Sequence, residues 1–218
     1  MERIPANDTA QMAATRQRIL ETGFRLFSQR TIDKVSMQDV ADEAGIGVAT
    51  LYRYYNTKPL LVLAIGTWVW ESYASETAGS LPTQERTAAE DFAAFLEAFL
   101  DLYRNHKDIL RFNQFFNVYV QSEDIEAEHF APYRGMIGAM EQRFRKTWAK
   151  GERDGTLRTD LSPEEIFSAM LHLMLAAVTR YAVGLVYLEG PDPEKELLLL
   201  KELFLRRFMV SGEPQDTG

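Results

Sequence analysis

Apolar residues recur along this chain with the period of a helix, and no segment alternates as a strand would. From Thr9 to about Arg30, Ile19, Leu20, Gly23 and Phe27 share one face, which predicts a first amphipathic helix. Met37, Val40, Ala41 and Ala44 repeat the i, i+3, i+4, i+7 spacing over a shorter one. Ser36 is its N-cap, a side-chain acceptor for a backbone N–H left open in the first turn, and Gly45 ends it. A third helix runs from about Val48 to Tyr54 with Leu51 and Tyr55 inward. Asn56 and Thr57 then offer a new cap, and Pro59 falls in a first turn, where its missing N–H costs little.

Downstream the helices lengthen, near 58–80, 84–105, 107–121, 124–153, 163–188 and 193–211. Leu81-Pro82-Thr83 marks the first junction, and Gly151 with Asp154-Gly155 closes the fourth of these helices. Ser162-Pro163-Glu164-Glu165 combines a cap, a first-turn proline and a glutamate at the third position, a strong start signal. Gly190-Pro191-Asp192-Pro193 is a turn into the last helix. With no repeat and no low-complexity tract, the pattern reads as all-α.

The segment from Ser36 to Tyr55 is the most informative. Two short helices joined at Ala44-Gly45-Ile46-Gly47 make a helix-turn-helix, in which the second helix enters the major groove of double-stranded DNA. Its outward residues are Val48, Ala49, Thr50, Tyr52 and Tyr54, small or hydroxyl-bearing and without an acid, as a helix approaching phosphates requires. A generic three-helix subdomain with incidental tyrosines is the competing reading.

Arg18-Ile19-Leu20, Leu26-Phe27, Ser36-Met37-Gln38-Asp39-Val40-Ala41, Ala44-Gly45-Ile46 and Thr50-Leu51-Tyr52-Arg53-Tyr54-Tyr55-Asn56-Thr57-Lys58 together resemble the TetR/AcrR transcriptional regulators. The likeness covers about residues 13–65, and beyond it only helical architecture is shared. The resemblance implies an N-terminal arm over 1–11, a DNA-binding domain over 12–56, a ligand-binding and dimerisation domain over 57–212, and a tail over 213–218. It further implies a homodimeric regulator, a repressor released from a palindromic operator by a small molecule; activation stays open. A helical ligand-binding or adaptor protein that has lost DNA binding is the alternative. By position, Ser36, Thr50, Tyr52, Tyr54 and Lys58 match the family's phosphate contacts, while Gln38, Val48 and Ala49 match its base-reading positions. Thr31 replaces the usual glycine after the first helix, Gly23 the common alanine, and Gly47 to Ala49 lack the usual polar residue. Valine and alanine at reading positions imply sensing through thymine methyls.

Ile166 to Leu188 is apolar except for Ser168, His172, Thr179, Arg180 and Gly184, long enough to cross a bilayer. Arg180 near its middle and the flanking Glu164, Glu165 and Glu189 argue against a membrane span. A helix apolar all round is otherwise buried on all sides. The last helix repeats the theme with Leu197–Leu200, Leu203–Leu205 and Phe208–Val210. The resemblance implies that these two helices form a four-helix bundle across the dimer, with Val178 and Leu203 expected in its interface. The middle helices concentrate Trp68, Phe112, Phe115, Phe116, Tyr119, Phe130, Tyr133, Met136, Met140, Met170 and Met174, which serve either as ordinary core or as an adaptable apolar pocket. Arg180 is a candidate anchor for an anionic head group there, or half of a buried ion pair.

Charge refines this picture. The 218 residues carry net −8, but residues 1–58 hold eight Lys/Arg against seven Asp/Glu, leaving net −9 for the rest. Only the first part tolerates a polyanion, and the field of the second favours a mainly apolar effector that is neutral or cationic. The absence of cysteine excludes thiol nucleophiles and Cys-ligated metal, and fits a reducing cytoplasm. MERIPANDTAQ lacks the basic and apolar regions of a signal peptide. His106, His129 and His172 lie far apart; Glu126 and His129 on one helix face read as a solvated pair rather than a metal site. With no nucleotide loop and no nucleophile motif, neither an enzyme nor a cofactor is expected.

Overall fold

The computed structural model describes residues 6–79, 86–184 and 192–210. Among them nine α-helices follow one another: α1 (Ala6–Gln29), α2 (Met37–Glu43), α3 (Val48–Tyr54), α4 (Lys58–Gly79), α5 (Ala88–Asn105), α6 (Lys107–Ser122), α7 (Ala131–Asp154), α8 (Pro163–Val183) and α9 (Pro193–Phe208). The fold is all-α, with an N-terminal helix-turn-helix followed by longer helices, as the hydrophobic period requires; the described β pairing is a single bridge between Leu157 and Met209.

The described residues form two compact units. One takes the chain up to Gly79 together with Arg111–Met136; the other takes the remainder. The sequence pattern divides the chain after Asn56, whereas packing keeps α4 with the N-terminal helices. In the first unit α4 lies against α1, with Leu61, Val62 and Ile65 fully buried, as are Ile19 and Phe27. An aromatic chain continues from there. Phe24 meets Trp68 and Phe112 edge-on at 6.3 and 5.6 Å between centroids, Phe112 meets Phe116 at 5.7 Å, and Phe116 meets Tyr133 at 5.1 Å.

The second unit is built on another ring cluster. Phe144 lies 5.4 Å from the buried Trp148, nearly parallel to it, and Phe92, Phe95, Phe167 and Phe208 close around the pair. Helix starts are tied down here. Thr87 and Glu90 form one capping box at α5, and Ser162 and Glu165 another at α8, so first-turn N–H groups find acceptors. The Ala88 N–H donates to Asp154 Oδ2 at 2.8 Å and the Ala89 N–H to Thr156 Oγ1 at 3.1 Å, fastening the start of α5 to the end of α7.

Several boundaries shift from the sequence expectation for identifiable reasons. The helix expected from 84 begins at Ala88, because Thr87 caps it; residues 80–85, with Leu81-Pro82-Thr83, lie outside the described residues. The helix expected from 124 opens as a 3-10 turn, Ala127–Phe130, and turns α-helical only at Ala131, since Pro132 is tolerated in a first turn and not within a helix. The helix expected over 163–188 ends at Val183, where Gly184 takes φ +104°, a conformation open to glycine. Residues 1–5, 185–191 and 211–218, which hold the first part of the expected arm, the Gly190-Pro191 turn and the tail, lie outside the described residues, while the rest of the arm, from Ala6, is the start of α1.

The expectation for α8 is corrected in part. Its length and composition suffice to cross a membrane, yet Ile166, Phe167, Met170, Met174, Val178 and Ala182 form a buried stripe in a helix packed against α5 and α9. Val178 thus belongs to this chain's own core rather than to an outer face, its relative exposure being 0 %. Beside this stripe α8 is open: Leu173 and Val183 are exposed, as are Leu198, Leu199 and Leu203 on α9.

Two helix glycines test the packing of the first unit. A Cβ on Gly66 would meet the ring of buried Phe116 at 2.6 Å, whereas the close contact of one on Gly23 would be with the terminal methyl of Ile65, Cδ1, which a rotation of the side chain can withdraw. Gly66→Ala should therefore cost about 1–3 kcal/mol by overpacking. Gly23→Ala should stay near neutral as alanine's helix propensity offsets the contact. Urea unfolding midpoints of the two variants check the ranking.

Candidate nucleic-acid interface

The helix-turn-helix is assembled from short-range chemistry on a small apolar base. Val40, Ala41 and Leu51 are fully buried, with Val35 and Ile32 beneath them, so α2 and α3 are pinned by one face each. Ser36 Oγ accepts the Asp39 N–H at 3.1 Å, and Asp39 Oδ2 accepts from the Ser36 N–H and hydroxyl, each at 2.7 Å. These Ser36 hydrogen bonds hold the Asp39 carboxyl below its usual range. α2 ends as the sequence predicts: Gly45 takes φ 64°, and the Ile46 N–H reaches back to the Ala41 carbonyl at 3.0 Å.

The turn leaves the outer face of α3 open. Ala49 and Tyr52 are exposed, and Val48, Thr50 and Tyr54 half-buried. The buried Leu51 and Tyr55 face inward, as expected. The other sequence-predicted residues are already engaged inside the chain. Ser36 is committed to its cap, and Gln38 Nε2 donates to Asp42 Oδ1 at 2.6 Å. The Tyr54 hydroxyl donates to the Met12 carbonyl at 3.4 Å, tying α3 to α1. Lys58 Nζ stands 5.3 Å from the centroid of the Tyr119 ring. Partial burial lowers the Lys58 pKa, against the pull of Asp33, Glu123 and Asp39, and burial likewise raises that of the Tyr119 phenol, aided by Glu123.

Sequence reasoning missed Arg53. It is exposed, and its guanidinium Nη2 donates to Thr50 Oγ1 at 3.4 Å. The signal was present, since Arg53 is the one charged residue of Val48–Tyr54 and stands three residues after Thr50, on its face.

The expected pocket residues divide between the two units. In the first, Phe112, Phe116, Tyr119 and Met136 are buried, and Trp68, Phe115, Phe130 and Tyr133 half-buried. Burial pushes the Tyr133 phenol up to about 12. In the second, Met170 and Met174 are fully buried and Met140 is half-buried. Arg180 is exposed on the open stripe of α8, so it is not the buried anchor that the sequence left possible. Glu126, Glu128 and His129 bring one donor atom each within 4.8 Å of one another, but all three are exposed, where water competes for any cation.

Residues 19–65 match the family model of bacterial regulatory proteins, tetR family. Among curated proteins, the uncharacterized HTH-type transcriptional regulator YvdT of Bacillus subtilis is 27% identical over 104 residues, 46% of this chain and 51% of its own length. The match thus spans about half of that relative. Among solved structures, a protein of Saccharomonospora viridis in complex with choline superposes with TM-score 0.72 at 20% identity, covering 91% of this chain and 99% of the other. The transcriptional regulator FadR of Bacillus subtilis in complex with stearoyl-CoA does so with TM-score 0.67 at 14% identity, covering 91% and 99%. At these identities the likeness establishes the fold.

Loss of the cap in Ser36→Ala should lower stability by about 1 kcal/mol. Gly45→Ala should cost about 1–2 kcal/mol by forcing a side chain into the left-handed region. Asp39, with its pKa lowered in the folded state, stabilises the fold above its unfolded-state pKa and loses that contribution as pH falls through the folded value. Asp39→Asn should therefore flatten the acid limb of a pH–stability curve measured by urea unfolding.

Proposed function

We propose that this chain, which belongs through residues 19–65 to the TetR family of bacterial regulatory proteins, is a homodimeric, ligand-responsive repressor of transcription. The observation that carries this reading is the outer face of α3. It is small, hydroxyl-bearing and free of acids, and it is held on a fully buried base beside the cap of α2. Val48 and Ala49 read thymine methyls, Gln38 reads a base edge once it exchanges Asp42 for DNA, and Ser36, Thr50, Tyr52, Tyr54 and Lys58 stand at the family's phosphate positions. Effector binding in the helical part shifts α4 and alters the spacing of the two recognition helices, which on DNA is about 34–36 Å.

The effector we infer is mainly apolar, neutral or cationic. Phe24, Trp68, Phe112, Phe116 and Tyr133 pack as a chain of rings, and a ligand that opened this packing would meet aromatic faces that attract a cation. The similar structures carry choline and stearoyl-CoA, so the fold tolerates ligands of opposite charge and the lining residues decide. The exposed position of Arg180 offers a carboxylate no buried anchor. Dimerisation is supported by the open apolar stripe of Leu173 and Val183 on α8 with Leu198, Leu199 and Leu203 on α9.

Selection of bound duplexes from a random pool should yield a palindrome, and Gln38→Ala should relax preference at one base pair by about 1–3 kcal/mol. Recovery of no preferred sequence would remove the reading. Hydrophobic quaternary ammonium ions should release the selected DNA where matched carboxylates do not; release by carboxylates alone would refute the effector class. Leu173→Asp and Leu203→Asp should each put an unpaired charge into a dry interface at a cost of several kcal/mol. Both variants should then sediment as monomers at micromolar concentration.

A further inference from the structure

Two cations bracket the end of the recognition helix, Arg53 within α3 and Lys58 at the start of α4, and their surroundings differ. Lys58 sits over the Tyr119 ring, with its ammonium partly desolvated and with Glu123, Asp33 and Asp39 close enough to stabilise its charge. Glu123 acts on the Tyr119 phenol and on the Lys58 ammonium alike, so ring and carboxylate bear on the same charge. To reach a DNA phosphate, Lys58 would have to leave the aromatic face and three carboxylates. The Tyr119 ring is the contact that holds the ammonium within the chain.

Arg53 has no such arrangement. It is exposed, α3 carries no acid, and its contact among the described residues is the neutral hydroxyl of Thr50. A phosphate approaching that hydroxyl meets the guanidinium at the same point, and the planar fork can donate to two of its oxygens.

We propose that Arg53, rather than Lys58, is the cation with which the recognition helix grips a DNA phosphate, and that Lys58 ties the start of α4 to α6. This rests on the DNA-binding reading above. It departs from the expectation that Lys58 makes the phosphate contact, and it assigns Arg53 a role that the motif does not.

The test measures affinity of the full chain for its selected duplex against salt. Removing one cation from a phosphate should lower the log–log slope by about 0.9. Arg53→Gln should lower the slope by that amount and weaken all sequences alike. Arg53→Lys should keep it, because the charge remains. Lys58→Gln should leave it unchanged, with the melting temperature lowered because the Tyr119 ring no longer faces a cation. An unchanged slope in Arg53→Gln overturns the proposal, and so does a slope lowered in Lys58→Gln. If the unmodified protein shows no salt-dependent binding to any duplex, the functional reading itself fails; if it binds and only these variants disagree, the failure is confined to Arg53.

Discussion

The contact on which the first unit depends is the packing of α1 against α4. Ile65 comes within touching distance of Gly23, and Phe24 turns its edge to Trp68 and Phe112, so one helix pair joins the helix-turn-helix subdomain to the aromatic chain. Helices approach closely where one supplies no side chain, and a packed interior transmits small displacements because it has few voids to absorb them. Gly23 and Gly66 make two such approaches on the same helix pair and its neighbour. A shift of α4 would therefore move α1 and the α2–α3 pair with it.

Charge works with this frame. Residues 1–58 are nearly neutral overall, and the acids of the helix-turn-helix each have a local partner: Asp39 caps α2, Asp42 holds Gln38, and Glu43 pairs with Arg25. α3 itself contains no acid, so its outer face brings no negative charge of its own.

Much of this was legible in the sequence, and the exceptions have physical causes. The turn at Gly45, the cap at Ser36 and the inward Leu51 follow from local rules and stand where the pattern puts them. Boundaries failed where a local signal was outranked, as at Pro132, which sets the start of α7, and at Gly184, which stops α8 while apolar residues continue. The site was less legible than the fold. That Gln38, Tyr54 and Lys58 have intramolecular partners depends on groups four to sixty-one positions away, Asp42, Met12 and Tyr119, which periodicity does not reveal.

The apolar helix α8 shows the same limit at a larger scale. Its composition marks every face as one that avoids water, but it cannot divide those faces between the chain's own core and a partner. Packing makes the division: Met170, Met174 and Val178 are enclosed by the chain, while Leu173 and Val183 are not. The same helix therefore carries apolar residues both in the core and at the surface, a division that composition alone does not encode. Arg180 lies on the open side, where its charge remains within reach of water. Arg180 thus belongs to the exposed side of α8, apart from the stripe that the chain itself encloses.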